Sequence, residues 1–410
     1  MTQKQWSAGL MSALMTCTGG TILVVHSAAQ LGMNERQMLS WMFVSYTLAG
    51  LFNLLLAWRY KLPIAGAHSL TAIAFLSTVS VQLTLPQIVG SFIMAGAIVA
   101  ILGLTRVFNV IFKHIPRPVI DAMLAGIIAH YILELVPAFQ ANPLVGLLAL
   151  IGFFLIPKYF KALPPIFGVI VLGLIGLMIT YSFPAVDPLR YQLPLVTIPE
   201  FTWQGFISLA VPISVLVLSN DIAVALAALG KNGYPAPVNR IITYSGLASM
   251  FGGLFNGHTI NIGGMMTTMC SSEEAGAKQK RYRAAILSSL LCVIFGIFAW
   301  LVVPYVTILP SYFIAMIIGY SLLGIFLNSM NAAFGNKQYR FSVLFAFVIS
   351  AAGITMLGIS AALWSLIVGT LIARLLKEHT SQDVRTQALE DEQEKDSAHA
   401  QAKSDYDIGG

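Results

Sequence analysis

Charge is what this sequence has least of. Only 10% of its 410 residues are Asp, Glu, Lys or Arg, against 57% hydrophobic, and several apolar runs approach or exceed the ~18 residues that cross a bilayer. A soluble domain shows neither feature, so the composition describes a polytopic membrane protein. Cysteine is nearly as scarce: Cys17, Cys270 and Cys292 all fall inside apolar segments, where a disulfide framework has no role and small packing residues are expected. Enzyme signatures are missing too. H-E-x-x-H, G-x-S-x-G and G-x-x-x-x-G-K-S/T do not occur, Asp121 and Asp221 lack the G-x-G-D context of intramembrane aspartyl proteases, and there is no ATP-binding module. The chain is expected to be no enzyme and to use no metal or cofactor, and any transport is passive or driven by an ion gradient.

What charge there is falls into two regions of opposite sign. Up to Leu376 there are 19 basic and 8 acidic residues, giving +11; from Lys377 onward there are 4 and 9, giving −5. The basic excess belongs to membrane orientation and not to nucleic acid. The tail, 377–410, is polar and poor in large apolar residues and reads as a disordered cytoplasmic extension. Met1 to Gln30 has the cast of a signal peptide, with Lys4, an apolar run and Ser-Ala-Ala ending at Ala29; its part in an internal repeat keeps it as a true span.

Hydrophobic runs set against charged or Pro-rich breaks predict an all-α fold of fourteen segments: 6–30, 37–57, 63–80, 86–107, 117–139, 143–157 and 164–183, then 203–229, 238–255, 257–273, 284–306, 308–332, 341–358 and 360–376. With a cytoplasmic N-terminus, the inside loops hold Arg59, Lys61, Arg106, Lys113, Arg117, Lys158, Lys161, Lys231, Arg240, Lys278, Lys280, Arg281, Arg283, Lys337 and Arg340; the outside loops hold only Arg36 and Arg190. That asymmetry predicts both termini inside. Sliding the chain on itself by about 200 residues aligns Leu48, Ala49, Phe52 and Leu55 with Leu247, Ala248, Phe251 and Leu254, and Ala28-Ala29 with Ala227-Ala228. A repeat of seven crossings, an odd number, must be inverted, so 1–183 and 203–376 are expected as two inverted halves, the pattern of secondary transporters.

One stretch in each half cannot be an ordinary membrane helix. Phe255 to Ala275 crowds Asn256, Gly257, His258, Thr259, Asn261, Gly263 and Gly264 into its first half, and only Met265 to Ser272 reads as helix. Its partner, Leu62 to Ser80, opens with Pro63 and Gly66 before Ser69, a residue suited to cap a helix running to Val79. Such backbone is tolerated at membrane depth only when buried in protein or lining a cavity. Two half-helices, in segments 3 and 10, are therefore expected to aim their N-termini at a central site that favours an anion. Substrate-binding candidates on these stretches are His68, Ser69, His258, Thr259, Asn261 and Gly263. Simple capping is the alternative role for Ser69, Thr259 and Asn261, one compatible with substrate contact, and satisfaction of freed backbone groups is the alternative for the two histidines. Met265, Met266 and Phe75 are candidate apolar walls, with core packing as the alternative.

Asp221 completes the set. It lies ten residues before Lys231, which puts it about 15 Å deep. An acid there is costly to keep charged and faces a polar cavity, which suits proton coupling; the competing role is a structural acid bonded to its neighbours. Asn220 beside it is a neutral hydrogen-bonding candidate, and His258 is a second candidate for the coupled proton. Asp121, Glu134 and His26 sit towards segment ends and are expected to be structural, while Lys278 to Arg283 is a topology signal able to touch anionic lipid.

The run N-D-I-A-V-A-L-A-A-L-G-K-N-G-Y-P-A-P-V from Asn220, then G-L-A at Gly246, G-H-T-I-N-I and M-C-S-S-E-E-A, resembles the benzoate/proton symporter (BenE) family of bacterial inner membranes, over nearly all of Met1 to Leu376. The resemblance implies kinship with nucleobase symporters and sulfate/bicarbonate carriers. It also implies their seven-plus-seven fold, in which a core of segments 1–4 and 8–11 moves against a gate of segments 5–7 and 12–14, and it implies a homodimer. Ala67 to Ala72 departs from the S-T-P-G-A-like run of benzoate carriers, and Ile260 stands where nucleobase symporters carry an acid. The expectation is proton-coupled symport of a small organic anion such as benzoate. A nucleobase or inorganic anion carrier, an anion channel and a non-transporting receptor are the alternatives.

Overall fold

In hydrocarbon the backbone must satisfy its own hydrogen bonds, so apolar runs become helices. The computed structural model describes residues 1–79, 82–107, 115–160, 163–186 and 191–378, and no β-strand occurs among them. In chain order the helices are α1 (Gln3–Gln30), α2 (Glu35–Tyr60), a short α3 (Leu70–Ser77), α4 (Leu85–Thr105), α5 (Arg117–Ala141), α6 (Pro143–Tyr159), α7 (Pro165–Thr180), α8 (Trp203–Lys231), α9 (Val238–Gly253), a short α10 (Gly264–Ser271), α11 (Tyr282–Ile297), α12 (Ala299–Thr307), α13 (Ser311–Phe334), α14 (Phe341–Ala352) and α15 (Ala361–Leu375). Of these α1, α2, α4, α5, α8 and α13 are each long and apolar enough to cross a membrane alone. Large apolar side chains such as Leu133, Met178 and Trp58 are exposed on the outside of the bundle, as lipid-facing surface requires.

The helices carry local faults where the site will need them. α1 breaks at Thr18, whose φ of −90° and ψ of −85° leave the helical region just before Gly19-Gly20. A wide π-type turn, Val217–Ile222, interrupts α8 at Asp221, a feature often found at functional sites. Segment 284–306, expected as one span, is instead α11 and α12, bent by 66° across Phe298. Two features accompany the bend: Gly296 lies so close to Thr47 on α2 that a Cβ would meet its backbone nitrogen at 2.5 Å, and Pro304 can offer no N–H to the Trp300 carbonyl.

Packing between helices relies on small residues, as expected where lipid removes most of the hydrophobic drive. A Cβ at Gly96 on α4 would stand 2.8 Å from the Gly246 carbonyl of α9, and Gly152 on α6 abuts Gly168 on α7 backbone to backbone. The three cysteines are free and pack against one small cluster with Ala8, Ala57 and Ala285. The connection before α8 runs over the ends of α4 and α9, where the Glu200 amide donates to the Pro86 carbonyl at 2.9 Å and that of Thr197 to Leu254 at 2.9 Å. At the other end of the chain Glu378 folds back onto α14. Its carboxylate accepts from the amides of Arg340, Phe341 and Ser342 at 3.3, 3.0 and 3.2 Å and from the Ser342 hydroxyl at 2.5 Å. The tail beyond Glu378 lies outside the described residues, as do Lys113, Lys161 and Arg190.

Candidate substrate site

The two glycine-rich stretches meet in the middle of the molecule. Residues 62–69 and 257–263 are extended and run antiparallel: the Asn261 amide donates to the Ala67 carbonyl at 3.1 Å, and that of Gly263 to Ala65 at 3.0 Å. Gly66 makes the crossing possible, because a Cβ there would sit 2.7 Å from the Ile262 Cα. Side chains satisfy most of the remaining backbone. The Ser69 amide donates to Thr259 Oγ1 at 3.0 Å, Thr267 Oγ1 donates to the Ala65 carbonyl at 2.8 Å, and Asn53 Nδ2 donates to the Asn261 carbonyl at 3.1 Å. This is how irregular backbone survives away from water.

From the crossing the half-helices α3 and α10 depart, and their N-termini differ. Ser69 caps α3: its Oγ accepts from the Ala72 amide at 3.1 Å and donates to Asp221 Oδ2 at 2.5 Å. Asp221 is thus brought from α8 to the start of α3, buried to 9% exposure. α10 begins after Gly263 with no side-chain cap, so the amides of Gly264, Met265 and Met266 have no acceptor within the helix. Thr259 and Asn261 do not cap it. Thr259 serves the Ser69 amide, whereas Asn261 donates to the Ile262 carbonyl at 3.1 Å and leaves its Oδ1 buried without a partner.

The two histidines lie 5.7 Å apart, ring centre to ring centre, but in different settings. His258 is fully buried, with Nδ1 accepting from the Trp41 indole at 2.9 Å and Nε2 facing the Ser69 carbonyl at 3.1 Å. A neutral ring with its hydrogen on Nε2 serves both partners, and a second hydrogen on Nδ1 would face the indole donor. His68 places Nδ1 3.3 Å from the Ser45 carbonyl and turns Nε2 towards Gly20 of α1. Asn220 reaches only its neighbour, donating to Ser219 Oγ at 3.0 Å.

Asp221, His68, Gly263 and Gly264 open onto a cavity of about 220 Å³, larger than the ~150 Å³ apolar cavity that accepts a benzene ring. Met265 and Met266 line it as well; Phe75 does not, being buried beside α5 and α14. His258, Thr259, Asn261 and Asn220 stand behind the lining. Sequence reasoning missed the opposite wall, built by Phe153 on α6, Pro164 to Ile166 at the start of α7, and Tyr320 to Ile325 on α13. It also missed Thr16, Gly19 and Gly20, for which the polar, glycine-rich Thr16-Cys17-Thr18-Gly19-Gly20 inside the first span was an available signal. In the C-terminal half of α3, Tyr131 on α5 donates to the Ala74 carbonyl at 2.8 Å and touches the Ser77 hydroxyl.

A helical membrane protein with two broken spans facing one cavity has the form of a transporter, and comparisons with known proteins agree. The solved transmembrane domain of a cyanobacterial bicarbonate transporter, BicA, superimposes with a TM-score of 0.59 at 16% identity over 90% of this chain and 97% of that one. The structure of SLC26A9 gives 0.63 at 14% identity over 91% and 64%, so the fold is shared. The family profile described as benzoate membrane transport protein (BenE) matches residues 1–375, and the chain belongs to that family. The benzoate membrane transport protein of Acinetobacter baylyi (strain ATCC 33305 / BD413 / ADP1) is 28% identical over 90% of this chain and 95% of its own length. The inner membrane protein YdcO of Escherichia coli (strain K12) is 29% identical over 88% and 93%. The chain is thus a multi-pass membrane transporter and not an enzyme.

Proposed function

We propose that this protein is a proton-coupled symporter of a small aromatic carboxylate, benzoate or a near relative, working by alternating access. The observation that carries the proposal is the pairing of a carboxyl with an uncapped helix end across one cavity. Asp221 sits on the capped start of α3, and the bare amides of Gly264 to Met266 open beside it. Bare amides and the helix dipole favour a substrate carboxylate. Two carboxylate charges close together in a buried site repel, so the anion enters with Asp221 protonated and the proton travels with it. His68, on the lining, is a further polar contact for substrate. His258, with both ring nitrogens engaged, is assigned to holding the Ser69 carbonyl and Trp41 in place, and the proton to Asp221. Thr259 and Asn261 act behind it, by holding the crossing.

The same proposal takes the chain as fourteen spans in two inverted halves, 1–183 and 203–376, lying in a bacterial inner membrane with both termini cytoplasmic, as a homodimer. The opposed directions of α3 and α10 and the basic inside loops support it. Segments 1–4 and 8–11 form the moving core, and segments 5–7 and 12–14 the gate that faces it across the cavity. In this topology the lining from Pro164 to Met266 lies on the cytoplasmic side of the crossing and the Tyr131 contacts on the outer side, the arrangement of an inward-facing carrier. The similarity of fold to a bicarbonate transporter supports a second reading, an inorganic anion carrier.

Binding and uptake separate these readings. Ligand that binds only folded protein stabilises it by RT ln(1 + [L]/Kd), about 2.7 kcal/mol at a hundredfold excess over Kd. Benzoate is expected to raise the melting temperature more at pH 6 than at pH 8, with bicarbonate and sulfate silent. In vesicles, benzoate accumulation is expected to collapse with the proton gradient. Accumulation that survives without the gradient would sink the coupling, and stabilisation by bicarbonate or sulfate alone would move the substrate to the second reading.

A further inference from the structure

Gly324 is a glycine without a packing reason. It lies well inside α13, Ser311–Phe334, where glycine is destabilising relative to alanine. Its backbone needs no left-handed conformation, and a Cβ built on it meets nothing within 4 Å. The preceding glycine of the same helix differs: a Cβ at Gly319, five residues earlier on α13, would stand 2.6 Å from Leu135 and 3.0 Å from the Tyr131 carbonyl. What Gly324 does face is the cavity. Tyr320, Ser321, Gly324 and Ile325 share one face of α13 and line it together. Tyr320 is also paired with Phe153 of α6, ring centres 5.1 Å apart and planes 32° off parallel.

We infer that Gly324 sets the size of the ring-binding half of the site: the Phe153–Tyr320 pair offers an aromatic wall, and the missing side chain at 324 leaves the room in which the ligand's ring lies. This rests on the aromatic-carboxylate reading above and adds a specificity-determining residue to it. The carboxylate would be held by the core at α10, and the ring judged by α6 and α13 opposite, so that charge and shape are read by different sides of the cavity. Gly324→Ala gives a clean test, since the added Cβ meets no neighbour within 4 Å.

The experiment measures dissociation constants of the purified full chain for benzoate and for 2-, 3- and 4-methylbenzoate, in wild type, Gly324→Ala and Gly324→Leu. Gly324→Ala is expected to melt no lower than wild type without ligand. It should weaken at least one methylbenzoate tenfold or more beyond whatever it costs benzoate, because one added methyl competes with one. Gly324→Leu is expected to weaken all four at least tenfold. Wild type that binds the series with a profile unchanged in both variants overturns this inference alone. Wild type that binds none of the four overturns the aromatic-carboxylate reading and this inference with it. Gly324→Ala melting well below wild type would show a packing role for the glycine and also overturn it.

Discussion

The two half-helices start from the same crossing yet present unlike N-termini. α3 begins with a complete cap, Ser69 on the Ala72 amide and Asp221 on Ser69, so a negative or protonatable group is already in place. α10 begins with Gly263-Gly264 and no cap, so its donors are available to something else. A site built from two equal ends would bind anions and nothing more. With one end filled by an acid of the protein, the other end's ligand must contend with that acid, and under the proposed symport its binding becomes conditional on a proton.

Removing the acid tests the comparison most severely. Asp221→Asn keeps the shape and an acceptor for Ser69 but carries no charge at any pH. Benzoate affinity in wild type is expected to fall as pH rises, approaching tenfold per unit where one proton binds with each anion; in Asp221→Asn it should become flat. Gradient-driven accumulation should fall at least tenfold while exchange of bound ligand persists. A variant that still concentrates benzoate with the gradient would put the coupling proton elsewhere, and His68 on the cavity wall would be the next residue to change.

The crossing can be broken without touching either end. Gly66→Ala places a Cβ 2.6 Å from the Asn261 carbonyl oxygen and 2.7 Å from the Ile262 Cα, and backbone cannot swing aside as a side chain can. Overpacking of this kind costs about 1–3 kcal/mol, so the melting temperature should drop by roughly 1–4 °C, with ligand affinity falling because both half-helix starts move. An unchanged melting temperature would mean that the strands separate easily and that the crossing is not what holds α3 and α10 in register.

These contrasts explain what was legible beforehand. Leu62 to Ser69 and Phe255 to Gly263 announced themselves because proline, glycine and amide side chains at that depth have no place in a lipid-facing helix. Asp221 announced itself through its distance from Lys231. Side-chain direction did not, since it is decided by contacts between distant parts of the chain. His258 and His68 look equivalent in sequence, yet Trp41 and the Ser69 carbonyl take both nitrogens of the first, while the second reaches the cavity. Thr259 and Asn261 stand where caps belong and are spent on the crossing instead. Phe153, Tyr320 and Gly324 lie in apolar helices among many similar residues, and only the cavity distinguishes them.

A third helix end supplies the control on a small scale. At α14 the amides of Arg340, Phe341 and Ser342 are filled by the Glu378 carboxylate, the arrangement proposed for substrate at α10 but with a permanent occupant. Burial works against the charge of Glu378, yet the Ser342 hydroxyl and the amides of Phe341, Ser342 and Arg340 outweigh it and hold the carboxyl below the ordinary glutamate range. A group lowered in the folded state adds stability above its unfolded value, about 4.3, and that stability is lost as pH falls from there through the lower folded value. Glu378→Gln should therefore cost about 0.3–1 kcal/mol at neutral pH and cost less below pH 4, measured as a small drop in melting temperature that closes on acidification. A drop that persists undiminished in acid would mean that Glu378 acts by packing and not by charge, and α14 would then say little about the anion binding proposed for α10.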